Sequence, residues 1–398
     1  MIRFDDAVAL IASAAKPLGV ETMPIDQAAG RFLAEPVLAQ IDSPIGDVSA
    51  MDGYAVQTAD LEPSASLTVI GVSYPGAGFA GDVAKGQAVR IFTGAPVPAG
   101  TDRIMIQENV TRDGDTAFVA EMPGLSRHIR KRASDFACGD TLLGAGARLT
   151  PAALIAAAGA DQSTLTVWRR PRISVVSTGD ELVAPGTARR HPGMIPDSVS
   201  LGIAAFAREW GAEVVARRHL ADDLTAMQAA AGALLASSDL IIVTGGASVG
   251  ERDFSRRIFE RHDLDILFSK IAIKPGKPVW LGRAGEAMIL GLPGNPTSAL
   301  VTARLLLAPL ILGLNGGDPY LALQWQGLPL AVPLTACGDR ETFVRGTIND
   351  HAVQLLRNQD SGSQLTLAKA QLLVRQPAFS PARSVGDIVD VLRLDGIS

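Results

Sequence analysis

Between residues 172 and 318, short apolar runs alternate with longer stretches whose apolar residues recur every three to four positions. Residues 173–177, 213–216, 240–243 and 287–290 read as strands. Residues 200–209, 224–237 and 296–312 read as helices, the last with Pro309 as a kink point. Strands alternating with helices predict a doubly wound, mostly parallel α/β sheet covered on both faces. Upstream, residues 5–18 have helical spacing, with Asp5 expected as N-cap and Gly19 as the stop. Residues 43–139 change to short alternating runs rich in Gly, Pro, Val and Thr. A hairpin is expected over residues 110–119, turning at Asp113-Gly114. Residues 150–160 form an Ala-rich helix opened by Pro151, and residues 319–398 return to short β-like segments. The predicted organisation is therefore α/β and β multidomain. A discontinuous N-terminal domain (1–42 with 140–171) carries an inserted β-rich domain (43–139). A doubly wound α/β domain (172–318) and a small C-terminal β domain (319–398) follow.

Composition narrows the class. The 398 residues are 47% hydrophobic and 19% charged, enough apolar content for several buried cores. A net charge of −5 argues against a nucleic-acid-wrapping surface, which needs a basic face. Cys138 and Cys337 form no C-x-x-C pair, and the composition suits a reducing cytoplasm. No basic-then-apolar leader opens the chain, so no signal peptide is expected. The most apolar run, residues 298–314, contains Arg304 and Pro309 and reads as a buried helix, not a membrane span. Against 29 arginines there are only 7 lysines, yet Lys270, Lys274 and Lys277 fall within eight residues. Such a cluster points to a chemical need.

Three predicted strands end in conspicuous loops: Thr178-Gly179-Asp180-Glu181, Thr244-Gly245-Gly246-Ala247-Ser248-Val249-Gly250 and Gly291-Leu292-Pro293-Gly294-Asn295-Pro296. In a doubly wound sheet these loops share the carboxyl edge, where ligands bind. Asn295 is placed to cap the following helix and Pro296 suits its first turn, so free amides there favour an anion. Glycines let backbone approach a phosphate closely. Lys274-Pro275-Gly276-Lys277-Pro278 is rigid and basic, suited to a tetrahedral oxyanion. Asp180, Glu181, Asp222 and Asp253 lie near the same strand ends, and Asp52 stands in Ser49-Ala-Met-Asp-Gly-Tyr. Carboxylates beside phosphates are what Mg²⁺ prefers, although Asp222 could equally cap the helix near Leu224. Two other patterns carry less. Gly76-Ala-Gly-Phe-Ala-Gly81 matches a dinucleotide fingerprint but precedes turn and strand in place of the required helix. Gly246-Ala-Ser248-Val-Gly250, followed by Asp339 and His351, matches a serine-hydrolase order, but leaves the lysines and carboxylates unexplained.

Taken in order, Ser49-Ala-Met-Asp-Gly-Tyr-Ala-Val, Thr93-Gly-Ala-Pro-Val-Pro-Ala-Gly, Ser177-Thr-Gly-Asp-Glu-Leu, Gly245-Gly-Ala-Ser-Val-Gly, Lys274-Pro-Gly-Lys-Pro and Gly291-Leu-Pro-Gly-Asn-Pro resemble the molybdopterin molybdenumtransferases, the MoeA proteins and the E domain of gephyrin. The resemblance covers nearly the whole chain. It implies four domains, a homodimer with the active site between subunits, and insertion of molybdate into adenylylated molybdopterin with release of AMP, aided by Mg²⁺ or a similar divalent ion. It implies a cytoplasmic enzyme, with the adenylyltransferase that makes the preceding intermediate and molybdoenzyme apoproteins as partners. A scaffold paralogue that binds cofactor without turnover is the alternative on the same fold.

By motif, the loops carrying Thr178, Gly179, Asp180, Gly245, Gly246, Ser248, Gly250, Gly294, Asn295 and Pro296, together with Lys270, should hold the pterin phosphate and nucleotide. Lys274, Lys277, Pro278, Arg345 and Ser363 should form the molybdate pocket. Glu181, Asp222 and Asp253 correspond to acids near metal and nucleotide, while Asp52, Thr93 and Asp135 would reach in from the partner subunit. The family usually has Asn at His128, Gly-Glu at Ala133-Ser134, Asn at Val199 and Ser-Gly-Gly-Val where this chain has Thr-Gly-Gly-Ala.

Overall fold

A computed structural model of the protein describes residues 1–245 and 254–395. Its α/β region is built on a six-stranded sheet in the order Glu213–Leu220, Arg172–Thr178, Leu240–Thr244, Ala287–Leu292, Trp280–Ala284, Asp265–Ser269. The first four strands are mutually parallel, and Trp280–Ala284 runs against both its neighbours. Successive strand residues face opposite sides, so an unbroken apolar run needs cover on both faces. Val175, Ile242 and Leu290 enter one layer with Ile203 and Phe206 of the helix Ser198–Glu209. Val176, Ile241 and Ile289 enter the opposite layer with Met227 and Leu234 of the helix Leu224–Ser237. The strands Asp265–Ser269 and Trp280–Ala284 were not foreseen; the first has only three apolar residues between Asp265 and Ser269, and Gly282 and Arg283 interrupt the second.

The expected long helix is Pro296–Thr302, a π turn over Ala303–Leu307, and Ala308–Leu314. Pro309 has no N–H to offer the turn before it, and the helix adjusts there by widening. The run is almost wholly buried within the fold, as expected of a core helix.

Several local expectations are corrected. The first helix is Phe4–Ala14, with Arg3 and not Asp5 at its N-cap. It stops before Gly19 because Pro17 lacks an N–H and steers Lys16 away from helical backbone. The helix Ser198–Glu209 starts two residues early because Asp197 caps it, accepting from the Ser200 amide at 3.1 Å. The helix Leu224–Ser237 is capped by Asp223, not Asp222, through the Thr225 and Ala226 amides. In the hairpin Val110–Asp113/Thr116–Val119, Asp113 pairs with Thr116, so the turn is Gly114-Asp115, one residue later than expected.

Residues 53–119 form a second six-stranded sheet in the order Arg103–Ile106, Gly53–Val56, Gln87–Ile91, Ser66–Ser73, Thr116–Val119, Val110–Asp113. On either side of that stretch the chain pairs with itself. Val20–Pro24 lies against Thr164–Trp168 and Val37–Leu38 against Thr141–Leu143, over a core of Leu33, Leu149, Ala157 and Val167. A third large sheet contains Glu341–Asn349, Leu372–Gln376, Ile388–Arg393 and Gln326–Pro329, with Ala352–Leu355 beside the first. Its edge strand is Ile273–Lys274, part of the lysine loop, running parallel to Glu341-Thr342. The first helix ties this sheet down. Phe4 meets Phe343 edge-on at 5.1 Å, and Arg375 lies 5.3 Å over both Phe4 and Trp325 while donating to Asp5 and Glu341.

Candidate active site

The carboxyl edge of the central sheet opens into a cavity of about 730 Å³. Thr178, Gly179 and Glu181 line it from the first glycine loop, Thr244 and Gly245 from the second, and Pro293, Gly294, Asn295 and Pro296 from the third. Close approach of backbone explains the glycines. Gly245 has φ +91°, and a Cβ there would stand 2.6 Å from the Thr178 carbonyl oxygen. A Cβ on Gly294 would in turn meet the Gly245 Cα at 3.3 Å. The three loops thus touch one another and leave no room for side chains between them. The conformation of the first loop is supported from the neighbouring strand, where His219 Nε2 lies 2.8 Å from the Gly179 carbonyl oxygen.

Glu181 and Asp222 both line this cavity. Asp180 is outside it, and its carboxylate accepts from the Asp222 amide at 3.0 Å, tying the two loops together. Asn295 sits at the N-cap position but does not cap, which corrects the expectation. Its side-chain amide turns outward and donates to Ser361 Oγ at 3.2 Å, and the Thr297 amide donates to the Ser361 carbonyl oxygen. A C-terminal loop therefore closes the start of this helix.

Of the lysine loop, Pro278 lines the cavity, while Lys270, Lys274 and Lys277 are exposed beyond its lining. The loop is seated by Gly276, whose φ is +109° and whose Cβ would lie 2.1 Å from Thr302 Cγ2 of the long helix. Arg345 is buried and already engaged. It donates to Thr297 Oγ1 at 3.0 Å, to Gln359 Oε1 and to the Asp360 carbonyl oxygen, and burial lowers its pKa. Ser363 is the N-cap residue of the short helix Gln364–Lys369, its hydroxyl bonded to Thr366.

Asp52 and Thr93 come from motifs 41 residues apart yet meet directly: the Thr93 amide and hydroxyl donate to Asp52 Oδ1 at 2.7 and 2.8 Å. Those bonds, with Arg90 nearby, hold the Asp52 carboxyl below its usual range. Asp135 is not with them; it lines a separate cavity with Ser43, Phe136 and Asp140. Gly246, Ser248, Gly250 and Asp253 lie outside the described residues. Asp339 and His351, the distant partners of the hydrolase pattern, are both exposed.

Sequence reasoning missed part of the lining. Leu182 follows the first glycine loop, and Ile195, Pro196, Asp197 and Ser198 come from the short strand paired with it and the start of the next helix. Gly362 and Gln364 come from the C-terminal region, and Gln364 Nε2 reaches Ser198 Oγ at 3.4 Å across the opening. The capping signal of Asp197 ahead of an apolar-periodic stretch was the one available clue.

The family described as MoeA N-terminal region (domain I and II) matches residues 2–160, and the probable molybdopterin binding domain matches residues 174–313. A molybdopterin molybdenumtransferase of Haemophilus influenzae is 40% identical over 314 residues, covering 79% of this chain and 76% of that protein.

The chain belongs to the molybdopterin molybdenumtransferase family.

A Nostoc molybdopterin molybdenumtransferase is 33% identical over 384 residues, 92% of this chain and 86% of the other. The solved structure of a molybdopterin biosynthesis MoeA protein from Pyrococcus horikosii superimposes with a TM-score of 0.82 at 26% identity, covering both chains completely. Within the molybdenumtransferase pattern, two of this chain's departures have a backbone consequence. His128 and Ala133 have φ of +52° and +56°, the left-handed region that Asn and Gly tolerate best. Asn and Gly, which the resemblance implies at these positions, are the residues that the backbone favours.

Proposed function

We propose that the protein transfers molybdenum from molybdate into adenylylated molybdopterin, yielding molybdenum cofactor and AMP. The observation that carries this reading is the meeting of three glycine loops, Glu181, Asp222 and Pro278 of the lysine loop around one cavity. Molybdate is a dianion and the other substrate carries a pyrophosphate, so their approach needs countercharge. Lys274 and Lys277 supply it beside Pro278, and the backbone amides at Gly179, Gly245 and Gly294 receive phosphate oxygens. Asp180 and Arg345 act as positioning residues, the first through the Asp222 loop, the second through Thr297 and the 358–360 turn. Ser363 supports the molybdate side by ordering the segment that carries Gly362 and Gln364.

The donor set fits a hard divalent cation. Glu181 and Asp222 offer oxygen ligands beside a phosphate site, as Mg²⁺ prefers, and Asp253 would join them. Among the described residues no group of three metal-binding side chains forms. When bound, the ion neutralises pyrophosphate charge.

The reading extends to a homodimer in which Asp52, Thr93 and Asp135 of one subunit face the cavity of the other, acting in the cytoplasm. We read the chain as four domains: 1–42 with 140–171, 43–139, 172–318 and 319–398. The test is AMP release from adenylylated molybdopterin with Mg²⁺, with and without molybdate. Molybdate-dependent release that disappears in Lys274→Ala and Lys277→Ala is expected. Tight substrate binding with no release would establish a carrier in its place.

A further inference from the structure

The amino edge of the central sheet, at the far end from the glycine loops, holds a second charged cavity of about 590 Å³. Arg31, Arg169, Arg170 and Arg172 line it, opposed by Glu21 and Glu213. Arg172 and Thr178 are the first and last residues of one strand, so the two cavities stand at opposite ends of the same sheet.

Two of the arginines are committed. Arg169 grips Asp239 with both terminal nitrogens at 2.7 Å, and Arg172 gives its amide to the same carboxylate and lies 3.6 Å from it. The other two are not fully used. Arg31 is only 6% exposed; its NH2 donates to Glu21 and to the Trp168 carbonyl oxygen, its NH1 reaches only the Met23 thioether at 3.2 Å, and its Nε has no partner. A thioether is a weak acceptor, so two of the three guanidinium nitrogens lack an oxygen partner, while Glu21 neutralises the charge. The exposed Arg170 side chain has no ion pair or hydrogen bond among the described residues. With Glu21, Glu213 and Asp239 set against four guanidiniums, one positive charge is in excess at a concave site within the usual size range for small ligands. Planar guanidiniums converging on a cavity match phosphate oxygens.

We propose that this cavity is a binding site for a small phosphate-class oxyanion, separate from the catalytic site. Arg170 contacts the anion, and Arg169 and Arg172, held by Asp239, with Arg31, held by Glu21, form its fixed wall. This site is independent of the catalytic reading.

The probe is inorganic pyrophosphate, titrated calorimetrically into the full chain carrying Lys274→Ala and Lys277→Ala, which removes the expected catalytic-edge lysines. One pyrophosphate per chain, with a raised melting temperature beyond that of sodium chloride at equal ionic strength, is the expected result. Adding Arg170→Ala should weaken binding at least tenfold while leaving the ligand-free melting temperature unchanged, and Arg170→Lys should restore part of it. No binding in the lysine variant, or binding that survives Arg170→Ala, would overturn the proposal. Neither outcome bears on molybdate-dependent AMP release by the unmodified protein.

Discussion

The two ends of the central sheet are built on opposite principles. At the amino end, most of the charge is paired within the protein: Arg169 and Arg172 converge on Asp239, whose side chain is 10% exposed. At the carboxyl end, close packing is left to backbone, through glycines at 179, 245 and 294, and the Glu181 carboxylate has no hydrogen-bond partner among the described residues. Removing one partner of a paired buried charge destabilises the fold. A carboxylate on a cavity wall contributes little to folding and is available to a ligand. Charge alone therefore does not mark the active edge; charge left unpaired beside permissive backbone does.

The comparison predicts a separation of effects. Glu181→Gln should lower molybdate-dependent AMP release by about 10²–10³-fold, with an unchanged melting temperature. Steady-state rates and a thermal melt on the same sample check this, and a loss under threefold would remove Glu181 from the machinery. Gly276→Ala should damage both properties. Its Cβ would collide with Thr302, and its backbone is left-handed, so a loss of about 3 kcal/mol in urea unfolding is expected along with molybdate binding.

Asp239→Asn should do the reverse of Glu181→Gln, lowering stability by about 2 kcal/mol at neutral pH with turnover retained below the melt. Burial raises the Asp239 pKa, but the bonds from Arg169 and the Arg172 amide outweigh it, and the net position is below the ordinary 3.8. A carboxyl depressed in the folded state stabilises it above its unfolded pKa and loses that contribution as pH falls through the folded value. The stability gap between Asp239→Asn and the unmodified protein should therefore narrow below about pH 4. The smallest effect is a gain: Ala133→Gly should stabilise by about 1 kcal/mol, read as a shift in urea midpoint, because φ +56° then carries no Cβ penalty.

Much of this was legible before any coordinates. Four strands of the central sheet and three helices followed from apolar periodicity, because a strand buried on both faces must be apolar throughout and a helix between layers must repeat at 3.6. The glycine loops were legible because only glycine accepts the backbone they need. Strands carrying Gly282 and Arg283 were not, since their burial depends on the hairpin partner and not on their own pattern. The cap of the helix at Leu224 was misread by one residue, because Asp222 and Asp223 stand together and the chain's path decides which carboxylate faces the amides.

The sequence by itself determined the central sheet, the edge at which chemistry would gather, and the family. Each rests on local rules: period, positive φ and motif order. Only the tertiary structure decided that the lysine loop is an edge strand of the C-terminal sheet, that Ser361 meets Asn295, and that Gly362 and Gln364 complete the cavity wall. It also decided that Asp52 and Thr93 meet while Asp135 stands apart. These are contacts between residues tens to hundreds of positions apart. Their free energy comes from packing and hydrogen bonding between surfaces that exist only after each region has folded, so no local pattern in the chain encodes them.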